Sequence, residues 1–483
     1  MNKPNIVFIL ADDMGYGDAG CYNPESKIPT PNLDRLAAQG VRFTDAHAPS
    51  SVCTPSRYAV LTGRYCWRSR LKGGVLWQWE SALVEPDRLT VAGLLRRQGY
   101  RTHCVGKWHL GWNWTLDDGS PAADHVEFGS RGNDPARLAL DGRIDYGRPV
   151  TGGPVDCGFD TYFGDDVPNF PPYTWFEDDR VVEAPSVPKP EVMFGTPGPM
   201  VPGWSLERVM PTLIRRAERV IEEAGEEPFF LYMPLTAPHT PIVPLDEFRG
   251  MSRAGEYGDY VCEVDWCVGR IMEALERRGL ADDTLLIFTS DNGPERPAYD
   301  RIRQFGHASS ARLRGIKRDV WEGGHRVPFL ARWPGVAPAG AECSHTVMLG
   351  DLLATCAEMT GARLASGEGE DSVSMLPLLR RPDRERGVRA CTVHHSMNRR
   401  FAIRRGDWVF IDAPTGGDVR EPDWYREERG YTPHEQPGEL FDLSSDIGER
   451  TNLHGERPEV VAELSQLLEQ VKAGGVDARA AQA

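Results

Sequence analysis

Asn5-Ile6-Val7-Phe8-Ile9-Leu10-Ala11-Asp12-Asp13 is the stretch whose reading decides the fold. Residues 5–11 are apolar without alternation and carry a β-branched share, the pattern of a strand buried on both faces of a parallel sheet. The run ends in adjacent carboxylates within Asp12-Asp13-Met14-Gly15-Tyr16-Gly17-Asp18. Such neighbours repel unless a cation lies between them. Alone, Asp-Asp reads as a solvated acidic turn. In open α/β sheets, however, ligands gather outside strand carboxyl ends, which raises the metal reading.

A second buried strand, Thr284-Leu285-Leu286-Ile287-Phe288-Thr289-Ser290, ends in Asp291-Asn292-Gly293-Pro294. Asp-Asn-Gly can be a plain turn. Beside Asp12 and Asp13 it supplies two more oxygen ligands, a hard set suited to Ca²⁺ or Mg²⁺.

Between these strands in sequence lies Ser51-Val52-Cys53-Thr54-Pro55-Ser56-Arg57-Tyr58-Ala59-Val60-Leu61-Thr62-Gly63-Arg64. Pro55 suits a helix's first turn, where it leaves no N–H unpaired. Cys53 therefore sits at a helix entrance, where free amides and the dipole favour an anion, with Arg57 one turn further on the same face. The local reading is an anion site beside a thiol; the alternative is a buried structural cysteine.

Tyr100–Val105 reads as a strand delivering Gly106-Lys107-Trp108-His109-Leu110-Gly111, in which Lys107 and His109, two apart in an extended segment, point to one side. Another strand, 228–233, leads to Ala237-Pro238-His239-Thr240-Pro241, where two prolines hold His239 in a turn. Helices are expected from Thr30 to Gly40 and over 89–98, 206–224, 257–278, 351–359 and 459–472. Residues 112–202 read as long ordered loops that shape specificity. Trp77, Trp79, Trp112 and Trp114 suit either a ring-stacking wall or the core.

The chain has 483 residues, with 55 Lys+Arg against 71 Asp+Glu and a net charge of −16. That acidity argues against nucleic acid or an anionic membrane as partner. Ten cysteines without a Cys-x-x-Cys indicate neither a zinc ribbon nor a dense disulfide framework, though a few disulfides remain open. The apolar run after Met1-Asn2-Lys3-Pro4 is too short for a signal peptide, so a native start implies the cytoplasm and a lost leader a periplasmic or secreted protein. A hydrophilic run at 380–389 separates βαβ order from hairpin order. The expectation is a large α/β domain over 1–380, with a mostly parallel sheet flanked by helices, and a small α+β unit with an antiparallel sheet over 381–483.

Cys53-x-Pro55-Ser56-Arg57 followed by Leu61-Thr62-Gly63-Arg64 resembles the signature of the type I, formylglycine-dependent sulfatases, and four further segments are similar to that family's motifs. These are Ala11–Asp18, Gly106–Gly111, Leu313–Gly324, and Glu439–Leu443 together with Glu449–Leu453. The resemblance implies an alkaline-phosphatase-like fold and one Ca²⁺ per chain, held by Asp12, Asp13, Asp291 and Asn292 with oxidised Cys53. It further implies maturation of Cys53 to formylglycine by a formylglycine-generating enzyme, and attack on sulfur by the hydrated aldehyde, a gem-diol. Arg57, Lys107 and Lys317 would bind sulfate oxygens, His239 would protonate the leaving alcohol, and His109 would help return the aldehyde. The implied substrate is a sulfate monoester, a sulfated sugar such as N-acetylgalactosamine 6-sulfate or an aryl sulfate. A phosphonate or phosphate ester hydrolase of the same superfamily is the runner-up, and a catalytically silent carbohydrate-binding relative the third reading. Oligomeric state is not legible.

Overall fold

In the computed structural model, which describes residues 3–474, the 5–11 run lies in the middle of a ten-stranded sheet. From one edge the order is Ala341–Cys343, Val41–Phe43, Phe329–Arg332, Thr284–Ser290, Asn5–Ala11, Phe229–Pro234, Arg101–Val105, Thr161–Gly164, Phe176–Glu177 and Arg180–Val181. The five from Thr284–Ser290 to Thr161–Gly164 run parallel, and antiparallel pairs flank them on both sides. The sheet is therefore mixed and mostly parallel.

The unbroken apolar run is explained by burial on both faces. Ile6, Phe8 and Leu10 join one core, with side chains of the helices Cys53–Thr62, Val91–Arg97 and Leu352–Thr360. Val7, Ile9 and Ala11 join the opposite core, against the helices Pro31–Gln39, Val209–Glu222 and Gly255–Arg277. Side chains alternate across a strand, so a strand covered on both faces needs apolar residues at every position.

A separate four-stranded antiparallel sheet follows, in the order Thr392–His395, Phe401–Arg405, Trp408–Ile411 and Glu439–Asp442. Its side chains alternate between two faces, both of them covered. Ile403, Phe410 and Leu440 face the helix Pro458–Lys472, whereas Ala402, Val409, Ile411 and Phe441 face Val320 and Trp321 beside Lys317. The last residues of the C-terminal unit expected from the sequence, 475–483, lie outside the described residues.

Besides six two-residue strands, four longer ones escaped the sequence reading: Thr161–Gly164, Phe329–Arg332, Ala341–Cys343 and Thr392–His395. They are three or four residues long, too short to display a period. All ten cysteines are free, so the open question of disulfides closes without one. No described helix is long and apolar enough to cross a membrane.

Candidate active site

The carboxyl ends of the central parallel strands converge, and backbone hydrogen bonds continue past them to stitch the loops together. Asp12 N–H donates to Ala237 O, Asp291 N–H to Ala11 O, and Lys107 N–H to Pro234 O. Gly106 makes the last approach possible, since a Cβ there would stand 1.9 Å from Pro234 O. Three of the eight non-glycine residues with positive φ among the described residues fall here: Asp13 at 66°, His109 at 54° and Arg318 at 81°. Backbone held in this region costs about 1–3 kcal/mol per residue and concentrates at functional sites. At Asp13 its use is visible. Neighbours on an extended chain point apart, whereas this turn brings both carboxylates to one site.

The carboxylates are buried, 0% exposed at Asp12, Asp13 and Asp291. Asp12 meets the Lys107 ammonium at 2.6 Å, and Asp13 that of Lys317 at 2.7 Å. Asp291 Oδ2 accepts from Arg57 Nε at 3.0 Å and Nη2 at 2.8 Å. Burial pushes Asp13 above the usual carboxylate range, and burial with the Asp12 charge carries Asp291 up to about 7. Asp12 is held well below its usual range, because Lys107, His239 and Arg57 together outweigh its burial. Asn292 Nδ2 donates to Asp13 Oδ1, while Asn292 Oδ1 is buried with no hydrogen-bond partner. Repelling buried carboxylates beside an orphaned amide oxygen are the donor chemistry of a hard divalent cation. The residues fit Ca²⁺.

Cys53 opens its helix as expected, with Pro55 in the first turn, and its Sγ lies 3.5 Å from Asp12 Oδ1. Ligand atoms of Asp12, Asp13, Cys53 and His239 all lie within 4.8 Å of one another. Burial raises the thiol's pKa, so an unmodified Cys53 is held protonated and is no nucleophile. His239 Nδ1 lies 2.5 Å from Thr240 O, which leaves Nε2 towards Asp13 at 3.7 Å. Burial and the Lys317 charge push this imidazole down to about 3. His109 Nε2 bonds Leu76 O at 3.0 Å, and its buried Nδ1 has no partner. Burial, then Lys107, holds His109 well below the usual histidine range, so its free nitrogen carries a lone pair.

All ten expected residues thus meet at one place, with two adjustments. Lys107 and His109 share a side not because the segment is extended but because the chain turns at His109. Arg57 is fully buried and gives three of its five N–H groups to Asp291 and to Lys107 O, at 3.2 Å for the latter, so it stands behind the site. A cavity of about 200 Å³ opens over Cys53, His109, His239 and Lys317. Of the four tryptophans, Trp77 alone lines it; Trp79, Trp112 and Trp114 are core.

The chain and its fold have close counterparts. The Sulfatase family model matches residues 4–362. The chain belongs to the sulfatase family. It is 34% identical to an N-acetylgalactosamine-6-O-sulfatase of Bacteroides thetaiotaomicron over 97% of this chain and 93% of that protein. It is also 34% identical to human arylsulfatase A, over 96% of this chain and 87% of that one. A solved 6S-sulfatase from work on glycosaminoglycan metabolism in Bacteroides thetaiotaomicron superposes with a TM-score of 0.81 at 32% identity, over 98% of this sulfatase and 100% of that chain. The protein is a sulfuric ester hydrolase with the fold of the alkaline phosphatase superfamily.

The sequence reading missed other residues of this sulfatase's cavity. Glu295 and Arg318 stood beside singled-out residues and carried a signal in their proximity. Asn169, Phe170 and Met397 line the cavity from distant segments and carried none.

Proposed function

We propose that the protein hydrolyses the sulfate monoester of a sugar, such as N-acetylgalactosamine 6-sulfate, using formylglycine formed from Cys53 and one Ca²⁺. The observation that carries this is a buried Cys53 at a helix entrance, within 4.8 Å of a set of cation ligands. Asp12, Asp13, Asp291 and Asn292, with oxidised Cys53, would hold the ion. When present, the two groups supply a hydroxyl nucleophile in place of the thiol and the positive charge that lowers its pKa.

The remaining work falls to the chain's own side chains. Lys107 and Lys317 here neutralise Asp12 and Asp13. Once those carboxylates are otherwise neutralised, the two ammonium groups face the sulfate oxygens and stabilise charge as the S–O bond breaks. Arg57 holds Asp291 in place through two hydrogen bonds and adds positive potential from behind. His239, anchored at Nδ1, points Nε2 into the site and hands a proton to the leaving alcohol from that atom once the negative charge of the bound ester has raised its depressed pKa. His109, with Nε2 fixed on Leu76 O, presents the unpartnered Nδ1 as the acceptor of the hydroxyl proton when sulfate is expelled.

The test is sulfate release from N-acetylgalactosamine 6-sulfate and from an aryl sulfate, by protein co-expressed with a formylglycine-generating enzyme, beside Cys53→Ala. Release from the sugar ester that vanishes in the variant is the expected result. No release from either ester by protein whose Cys53 is shown by mass spectrometry to be converted sinks the proposal.

A further inference from the structure

Several groups in the 200 Å³ cavity have no part in sulfate chemistry: Trp77, Asn169, Phe170, Glu295, Arg318 and Met397. The cavity is smaller than the ~300–1,000 Å³ clefts that hold drug-sized ligands. By itself it has room for one sugar ring, and Thr240 and Glu295 on its wall also line a neighbouring cavity of about 400 Å³. Trp77 and Phe170 stack at 4.7 Å between centroids, and Trp77 stays half-buried, offering an aromatic surface of the kind that packs on C–H faces. Asn169 Oδ1 is buried and unpartnered, an acceptor without a donor.

Arg318 and Glu295 form a bidentate pair, Nη1–Oε1 at 2.5 Å and Nη2–Oε2 at 2.8 Å. A third of the Arg318 side chain is exposed (32%), so the fork is accessible from the cavity. Lys317 and Arg318 are consecutive, yet both line the cavity, because the chain turns at Arg318 with φ at 81°. Hydrogen bonds from Arg318 N–H to Ser51 O and from Met397 N–H to Arg318 O pin that turn. Glu295 Oε2 is also 3.9 Å from Lys317 Nζ. Glu295 is held down to about 2, Arg318 and Lys317 outweighing its burial, so the pair is ionised on both sides. A guanidinium already neutralised in this way has no spare charge for a second anion. It retains donors and acceptors side by side, which suits neighbouring hydroxyls.

We infer that the Arg318–Glu295 pair, with Trp77 and Asn169, is the specificity device of this sulfatase, selecting an uncharged sugar ring as the bearer of the ester. The inference rests on the proposed function for the position of the sulfate.

The experiment measures two things on wild type, Arg318→Met, Arg318→Lys and Trp77→Leu, each shown folded by circular dichroism. One is the dissociation constant of N-acetylgalactosamine 6-sulfate with unconverted protein, by calorimetry. The other is kcat and KM of converted protein on that ester and on 4-nitrocatechol sulfate. Losing the paired contacts is expected to weaken sugar binding and raise its KM about ten-fold or more, with kcat moving less. The ratio of sugar to aryl specificity then falls by the same factor. Arg318→Lys does not restore it, because an ammonium lacks the planar fork. Weakening that is equal for both esters, or confined to kcat, overturns the inference, as does rescue by lysine. A wild type that binds the sugar ester but releases sulfate from neither ester fails the proposed chemistry, while the binding ratio still decides the role of the pair.

Discussion

Two buried clusters of metal-type side chains lie among the described residues of this sulfatase. In the crevice beyond the parallel strands stand Asp12, Asp13, Asp291, Asn292, Cys53 and His239. Where the small sheet meets the large one stand His47, His325, His394, Asp45 and Glu322, with ligand atoms of the three histidines again within 4.8 Å of one another. Both clusters are almost wholly buried. They differ in what is left unsatisfied.

In the second cluster every imidazole nitrogen has a partner. His325 Nε2 bonds Val320 O, His47 Nδ1 meets His325 Nδ1 at 3.1 Å, and His394 bonds Ala48 O and Thr392 Oγ1. His325 and His394 stack with centroids 3.9 Å apart and planes 4° from parallel, so their in-plane lone pairs cannot converge on one ion. Arg404, on the face of the small sheet turned towards the large one, joins Asp45, His47 and Glu322, and Arg326 joins Glu322 and Asp45. Two fixed cations thus balance two carboxylates, and Glu322 Oε1 alone lacks a partner there. The first cluster has an orphaned Asn292 oxygen, carboxylates whose pKa burial has raised, and an open cavity alongside. Residue type does not make a metal site. Convergent unsatisfied acceptors and access do.

The contrast can be broken by substitution. Arg404→Met removes one member of a buried charge network and leaves its partners uncompensated; chemical denaturation is expected to show a loss of about 3–5 kcal/mol, with calcium binding kept. Next in size, Lys317→Ala is expected to lower kcat/KM for sulfate release by about 10²–10³, the cost of one preorganised donor at developing charge, measured on calcium-loaded protein because without the ion the loss of Asp13's partner also lowers the unfolding midpoint. His325→Phe keeps the stacked shape but removes both ring nitrogens. It is expected to cost about 1–3 kcal/mol of stability, read by the same denaturation and without effect on calcium.

What the sequence displayed, and what it hid, follows the same division. Asp12, Asp13, Asp291 and Asn292 were legible because each directly follows a long apolar strand, and strand ends in such sheets share an edge. Cys53 was legible through Pro55 and Arg57. The histidine cluster was not, because His47, His325 and His394 lie in segments far apart in the chain, and no local pattern records that the small sheet brings Arg404 onto Asp45. The left-handed turns at Asp13, His109 and Arg318 were hidden as well. Each overrides the side-chain direction that an extended segment would give, which is why Arg318 escaped notice beside Lys317.

The most direct test is the calcium bound per chain, measured by elemental analysis after chelation and reloading, for wild type, Asp13→Ala and Arg404→Met. The account predicts one ion in wild type, none in Asp13→Ala and one in Arg404→Met. In the two loaded proteins, calcium at about 100 times its Kd should stabilise by ~2.7 kcal/mol. An ion retained in Asp13→Ala, or lost in a folded Arg404→Met, would place calcium at the histidine cluster and contradict the account.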